Sequence, residues 1–222
     1  MRRYLFPVIL GLVGVAVLAS LGVWQLQRAQ WKQGLLDDIR AGIEAEPVFL
    51  PAQVDRSMKY LPVFVRGTTT GEEILILSGT QTQAGYQVIS GLITEDGRRI
   101  MVDRGFIPQQ ARQTPRPPAA LTVEGNLHWP DEKSAATPEP NLAENIWFAR
   151  DVPRMAEALG TEPVLVVARV VAGDTQGITP IPVGVEGIPN NHLSYALQWF
   201  MLAATWAGMT GFLIWRINRR SF

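Results

Sequence analysis

Two long uncharged stretches dominate the pattern of hydrophobic and polar positions along the chain. No charged residue occurs in residues 4–26 or in residues 193–215. Because roughly 20 apolar residues in a helix cross the hydrocarbon core of a bilayer, each stretch is long enough to span a membrane. The pattern predicts transmembrane helices at residues 4–26 and 192–217, one near each end of the chain.

The first stretch has an alternative interpretation as a cleaved signal peptide. Arg2 and Arg3 make a basic start, and the small residues Ala19 and Ser20 follow an apolar run. Against this, the apolar run continues to Leu26, beyond the roughly 7–15 residues of a signal-peptide core. A retained membrane anchor is the favoured prediction.

The intervening residues 27–191 form one β-rich domain by their pattern. Residues 29–43 continue the first helix, and Val152–Leu159 is a short amphipathic helix bounded by Asp151 and Gly160. Asp96-Gly97 is typical of a hairpin turn. Runs rich in Val, Ile, Leu and aromatic residues predict strands at 60–70, 73–78, 86–94, 98–107, 121–129 and 163–172. The predicted fold class is membrane α+β, with two transmembrane helices flanking a mostly antiparallel outer-face domain that is either a barrel or a sandwich.

Basic residues near the helix ends predict the orientation. Those on the far sides of the two helices are Arg2, Arg3, Arg216, Arg219 and Arg220. Positive residues beside spanning helices stay in the cytoplasm, so both termini are expected inside and the central domain outside, in a bacterial periplasm or its mitochondrial equivalent. Arg28 and Lys32 oppose this assignment weakly.

Composition excludes several kinds of chemistry. The chain has no cysteine, which removes disulfides and thiolate ligands, and a formal net charge of +0 gives no reason to expect nucleic acid binding. It contains two histidines, and no phosphate loop or nucleophile elbow is present. We therefore predict a protein that is not an enzyme.

His192 stands at the outer mouth of the second helix, where a neutral imidazole could coordinate haem iron. Helical spacing aligns it with Tyr195, Ala196, Trp199, Ala203 and Trp206 on one side. An interfacial histidine in an aromatic belt is the alternative. His128, beside Trp129 on a strand end, is expected to be structural.

Small residues at a spacing of four predict that the two helices pack together. They are Ala16, Ser20, Ala203, Ala207 and Gly211. Such packing would bring Trp24, Gln25 and Arg28 near His192. Arg28 could then meet a propionate or a lipid phosphate, or extend to the membrane interface.

Four blocks in order along the chain resemble the surfeit locus protein 1 family of cytochrome c oxidase assembly factors, in its bacterial form. They are Gly22-Val23-Trp24-Gln25 with Arg28 and Trp31-Lys32, Gly85-Tyr86-Gln87-Val88 with Val102–Pro108, Pro140-Asn141 with Trp147–Asp151, and Asn191–Phe200. Two positions depart from the family pattern, Asp103 where asparagine is usual and Phe106 where tryptophan is usual.

The resemblance implies a factor of the bacterial inner membrane that binds or stabilises haem a for insertion into oxidase subunit I. His192 would be the axial iron ligand, Tyr195 and Trp199 would be the walls, and Arg28 would contact a propionate. Trp24 and Gln25 complete the expected cofactor-binding set. Expected partners are subunit I with its assembly intermediates, haem A synthase and membrane lipid. The alternatives are a haem-free scaffold that clamps immature subunit I and an unrelated two-helix sensor.

Overall fold

The computed structural model describes residues 2–79, 83–185 and 190–219, with side chains from Leu5 onward. Arg220 lies outside the described residues, as do the side chains of Arg2 and Arg3. The helices are α1 (Arg2–Glu44), α2 (Val152–Leu159) and α3 (His192–Arg219). The strands are β1 (Val48–Phe49), β2 (Pro62–Gly79), β3 (Ala84–Thr94), β4 (Arg99–Pro108), β5 (Ala120–Leu127), β6 (Ile146–Trp147) and β7 (Leu165–Gly173).

The chain divides into two compact units. One consists of Met1–Asp38 and Val185–Phe222, and therefore contains α3 and most of α1. The other is Ile39–Gly184, which contains the strands and α2. The predicted order of helix, β-rich domain and helix is confirmed.

Both terminal helices are long enough to cross a bilayer. At 1.5 Å per residue, the 43 residues of α1 extend about 64 Å and the 28 residues of α3 about 42 Å. Large apolar side chains stay exposed along both, among them Leu12, Val17, Leu202, Met209 and Phe212. Exposed apolar surface on this scale, along two helices of this length, is typical of membrane-spanning helices. The chain is accordingly a membrane-associated protein of the α+β class.

Five strands close into a barrel. Antiparallel pairs join β2 to β3, β3 to β4, β7 to β5 and β5 back to β2, while β4 and β7 pair in parallel. In space the barrel strands follow the order β2-β3-β4-β7-β5 and back to β2. When these five strands are counted from 1 to 5 along the chain, the order is 1-2-3-5-4-1. This is a five-stranded Greek-key barrel of the OB type. Of the two architectures left open by the sequence, the structure has the barrel, and its pairing is mostly antiparallel as predicted.

Alternate residues of the strands face two different apolar layers. On β4, Ile100 and Val102 pack in the barrel interior, whereas Met101 points to the opposite side. The residue between two interior positions faces outward because side chains alternate along a strand. The outward layer is covered by α2 through Met155 and Leu159, so β4 is buried on both faces.

The strand β2 differs from its prediction. Residues 60–70 and 73–78 were expected to be separate strands with a turn at Gly71, but β2 runs without interruption from Pro62 to Gly79. Gly71 adopts φ +82°, and the pairing register with β3 shifts between Thr69 and Glu73. The glycine therefore makes a bulge, which bends one long strand so that it can pair with β5 at one end and β3 at the other.

The two ends of α2 match their sequence signals. Its N-cap Asp151 side chain accepts a hydrogen bond from the Arg154 backbone N–H, and its C-cap Gly160 adopts the left-handed conformation at φ +58°. The buried face consists of Val152, Met155, Ala156 and Leu159. The predicted short helix is present with the bounds expected from its caps.

The last turn of α1 is bonded to the barrel. The Ile43 carbonyl oxygen accepts hydrogen bonds from Asn126 Nδ2 at 2.9 Å and Arg169 Nη1 at 3.2 Å. Carbonyls at a helix C-terminus lack intrahelical partners, and a positive side chain is favourable there. Asn126 and Arg169 thus terminate the helix from β5 and β7.

Candidate functional site

Three glycines of α1 form the surface on which α3 packs. A Cβ atom built on Gly22 would lie 2.7 Å from the Phe200 ring, and Cβ atoms on Gly11 and Gly14 would overlap the side chains of Thr210 and Trp206. The Trp206 indole donates a hydrogen bond to the Leu10 carbonyl at 3.4 Å. The helices are therefore antiparallel neighbours, and large α3 side chains fill spaces that only glycine leaves.

The small residues predicted to make this contact are mostly exposed. Ala203 is buried, but Ala16, Ser20 and Ala207 are exposed. No described atom lies within 4 Å of a Cβ built on Gly211. The prediction that the helices pack together is right, but the closest approaches that the structure shows are made at Gly11, Gly14 and Gly22, which were not predicted.

At the mouth of the helix pair, the first residue of α3 contacts α1. His192 Nδ1 lies 2.8 Å from Gln25 Oε1, and both side chains are partly buried. An amide oxygen only accepts hydrogen bonds, so this contact puts the ring proton on Nδ1. The Nε2 atom then carries the lone pair, which is the form of histidine that binds a metal.

The other predicted site residues are exposed to different degrees. Tyr195 is 50% exposed, Trp199 is half-buried and Trp24 is 54% exposed. The Arg28 guanidinium stacks over the Trp31 ring at 4.1 Å. The structure thus brings His192 and Gln25 together directly, and Arg28 is occupied by a neighbour three residues along its own helix.

The Arg28–Trp31 pair was not predicted. Arginine and tryptophan at a spacing of three lie on one side of a helix, so the sequence carried the signal. The N–H donors of a guanidinium lie in its plane, whereas a cation–π contact uses only its planar face. Stacking on Trp31 therefore leaves the N–H donors of Arg28 available for hydrogen bonds.

A buried charge cluster in the barrel unit was also missed. Asp103 has no exposed side-chain surface and pairs with Arg150 Nη1 at 3.0 Å. Its carboxylate also accepts from Gln87 Nε2 at 2.7 Å and from the Gly105 backbone N–H at 3.2 Å. Arg150 binds Glu132 as well. Burial, only partly offset by Arg150, raises the pKa of Asp103 to about 6.

The second histidine lies beside this cluster. The His128 ring packs 5.4 Å from the Tyr60 ring, and its Nδ1 atom is buried without a hydrogen-bond partner among the described residues. Burial, followed by the positive charges of Arg150 and Lys59, lowers the pKa of His128 to about 4. His128 is therefore a neutral side chain of the barrel, in keeping with the structural role expected of it.

Among the described residues, no group of three or more His, Cys, Asp or Glu side chains could hold a metal ion. What they offer at the helix mouth is one oriented imidazole with partly exposed aromatic side chains nearby. The class defined by this fold and site is a membrane-associated protein with a five-stranded barrel and a histidine at the junction of two antiparallel helices.

Comparison with known proteins gives the family. The sequence profile of the SURF1 family matches residues 12–204, so the chain belongs to this family, the cytochrome c oxidase assembly factors whose motifs the sequence resembles.

Relatives agree over most of the chain. Human surfeit locus protein 1 is 30% identical over 214 residues, which cover 83% of this chain and 70% of the human protein. A SURF1-like protein of Monosiga brevicollis is 31% identical over 226 residues, covering 91% and 85% respectively. The rat surfeit locus protein 1 is 29% identical, covering 83% and 68%.

Proposed function

We propose that this protein holds haem a for insertion into subunit I of cytochrome c oxidase, with His192 as the axial ligand. The proposal combines membership of the SURF1 family with one observation, the hydrogen bond between His192 Nδ1 and Gln25 Oε1. Histidine ligands usually donate their second ring N–H to an oxygen acceptor, which fixes the tautomer and orients the ring. Gln25 supplies that acceptor.

The residues fit a haem for a chemical reason. A porphyrin brings four nitrogen ligands of its own, so a protein that contributes one imidazole can hold the iron and leave the other axial position for exchange. Tyr195 and Trp199 provide partly exposed aromatic surface on the same side of α3. Trp24 is the remaining member of the expected set, and its exposed ring lies next to Gln25 in sequence.

Arg28 is proposed as the propionate contact. Its guanidinium is held over Trp31 by stacking, which leaves the in-plane donors for a carboxylate. An arginine already fixed in position loses less conformational entropy when it binds.

The proposed location is the inner membrane of a bacterium, with both termini in the cytoplasm and the barrel in the periplasm. Arg216 and Arg219 lie in the last turn of α3, where the positive-inside rule favours the cytoplasm. Subunit I and its assembly intermediates are the proposed partners, haem A synthase is a candidate donor, and membrane lipid surrounds the helices. In this role the protein is a holder and not an enzyme.

The test is the visible absorption spectrum of the detergent-purified protein, expressed with haem A biosynthesis but without oxidase subunits. Wild type should carry a haem a spectrum, and His192→Ala should lose or alter it. The matched control is His128→Gln, which changes the other histidine of the chain and should leave the spectrum unchanged. Gln25→Leu should weaken haem binding about tenfold or more, the usual effect of removing a hydrogen-bond partner of a ligand.

Two outcomes would contradict the proposal in different ways. An unaltered spectrum in His192→Ala would remove His192 as the ligand while leaving haem binding intact. A colourless wild type that still binds immature subunit I would favour the alternative, a haem-free scaffold.

A further inference from the structure

A groove on the barrel unit has no role in the proposed haem site. Its volume is about 440 Å³, within the roughly 300–1,000 Å³ typical of binding pockets. It lies between the helical turn Arg56–Met58, the segment after β5 and the start of α2. Its lining residues include Arg56, Lys59, Trp129, Lys133, Arg150 and Pro153.

Two basic side chains of this groove, Arg56 and Lys59, make no ion pair with the residues that the structure describes. Four basic side chains line it, against the two carboxylates of Asp131 and Asp151. Lys133 is neutralised by Asp151 at 3.0 Å. Arg56 and Lys59 have no carboxylate within ion-pair distance in the part of the chain that the structure describes. The groove therefore offers two cations, Arg56 and Lys59, to a partner, beside one further carboxylate, Asp131.

Arg150 also lines the groove, with its guanidinium held by two carboxylates. Three of its five N–H donors are used, by Glu132 through Nε and Nη2 and by Asp103 through Nη1. These two carboxylates, one of them fully buried, hold the side chain in a single orientation. Arg150 therefore shapes the groove and adds no net positive charge to it.

The groove also has apolar surface. Trp129 is half-buried, and its indole N–H is bonded to the Pro163 carbonyl at 3.3 Å. Pro130, Val152 and Pro153 line the same space. A bare inorganic anion would use the cations and leave this surface wet, whereas a peptide with both acidic and aromatic side chains would use both.

We infer that this groove binds a short acidic segment of a partner protein. Carboxylates of the segment pair with Arg56 and Lys59, and its apolar side chains pack on Trp129 and the prolines. All lining residues belong to the barrel unit, so the inference does not depend on haem binding. It gives the barrel a role of its own in recognising a partner.

The experiment uses the full-length protein in detergent and a fluorescein-labelled peptide of alternating aspartate and phenylalanine. Fluorescence anisotropy should detect saturable binding that weakens as salt is raised. The double variant Arg56→Glu/Lys59→Glu should bind at least about tenfold more weakly, because two attractions become repulsions. The same variant should gain affinity for the matching lysine–phenylalanine peptide.

The control variant is Arg66→Glu/Arg99→Glu. It makes the same change in charge at two exposed barrel positions outside the groove, and should bind the acidic peptide as wild type does. Equal weakening in both variants would overturn the inference, as would failure of wild type to bind. Displacement of the peptide by inorganic phosphate at equal concentration would also overturn it, since the site would then recognise charge alone.

Discussion

At the scale of single residues, two buried groups of the barrel titrate in opposite directions. Burial raises the pKa of Asp103 to about 6, above its ordinary value of 3.8, so the folded state binds this proton more tightly than the unfolded state. Burial lowers the pKa of His128 to about 4, below its ordinary 6.5, so the unfolded state binds that proton more tightly. Their effects on stability therefore oppose each other between about pH 4 and 6.

The contribution of His128 can be isolated by substitution. Its stabilising effect is complete above about pH 6.5 and is lost as the pH falls towards 4, because the unfolded chain gains a proton first. From pH 7.5 to pH 5, wild type should lose about 1 kcal/mol more unfolding free energy than His128→Gln, after discounting for partial exposure of the ring. Chemical denaturation of both proteins at the two pH values measures this difference. The contribution of Asp103 to the unfolding free energy is present in both proteins and therefore cancels.

Parallel pH dependence in the two proteins would contradict the assignment of a buried neutral His128. A variant with a changed circular dichroism spectrum at pH 7.5 would be replaced by His128→Asn, which keeps a polar side chain of smaller size.

Contacts between residues could be predicted from the sequence only where a local pattern marks both partners. His192 and Gln25 were expected to lie close together because each lies at an end of a long apolar helix, and the structure confirms this contact. Their role in binding haem stays a prediction. The Asp103–Arg150 pair was missed because it joins residues 47 positions apart. No local pattern indicates which cation will meet a buried carboxylate.

At the scale of elements, helix pairing is determined by the large side chains as much as by the small ones. Trp206 occupies the space beside Gly14 and reaches the Leu10 carbonyl. Small residues four positions apart occur on several faces of α3. Their spacing alone does not indicate which face meets α1. The indole and the Phe200 ring require glycine opposite them, and this requirement selects the face.

A bulky residue at Gly14 should therefore separate the helices. Gly14→Leu is expected to lower the unfolding free energy in an SDS titration by about 1–3 kcal/mol, the usual cost of overpacking. Gly211→Leu is the matched control on α3, because no described atom lies within 4 Å of its added Cβ. Equal losses in both variants would show that helix propensity or lipid contact, and not the Trp206 contact, causes the effect.

The strands show the same division between local and distant information. Most strands and the turn at Asp96-Gly97 followed from alternation and turn residues, and Gly97 adopts φ +84° there. The two-residue strands β1 and β6 are too short to leave a pattern. Closure of the barrel depends on the pairing of β2 with β5, whose partners are all more than 50 residues apart, and this pairing has no local signal.

At the scale of the whole molecule, the proposed orientation can be tested with single cysteines, since the natural chain has none. Ala135→Cys lies at an exposed position of the barrel unit and should react with a membrane-impermeant maleimide added to spheroplasts. Asn218→Cys, near the end of α3, should react only after the membrane is permeabilised. Wild type gives the background, and the reverse pattern of labelling would place the barrel in the cytoplasm.

The closed barrel has a consequence for association of this protein with other chains. An open sheet offers unpaired backbone groups to other chains and invites aggregation. Here the described barrel strands are paired in a ring, and the two-residue strands β1 and β6 cover further parts of β2. A ring without long free strand edges offers other chains few unpaired backbone groups, which protects this unit from edge-to-edge aggregation.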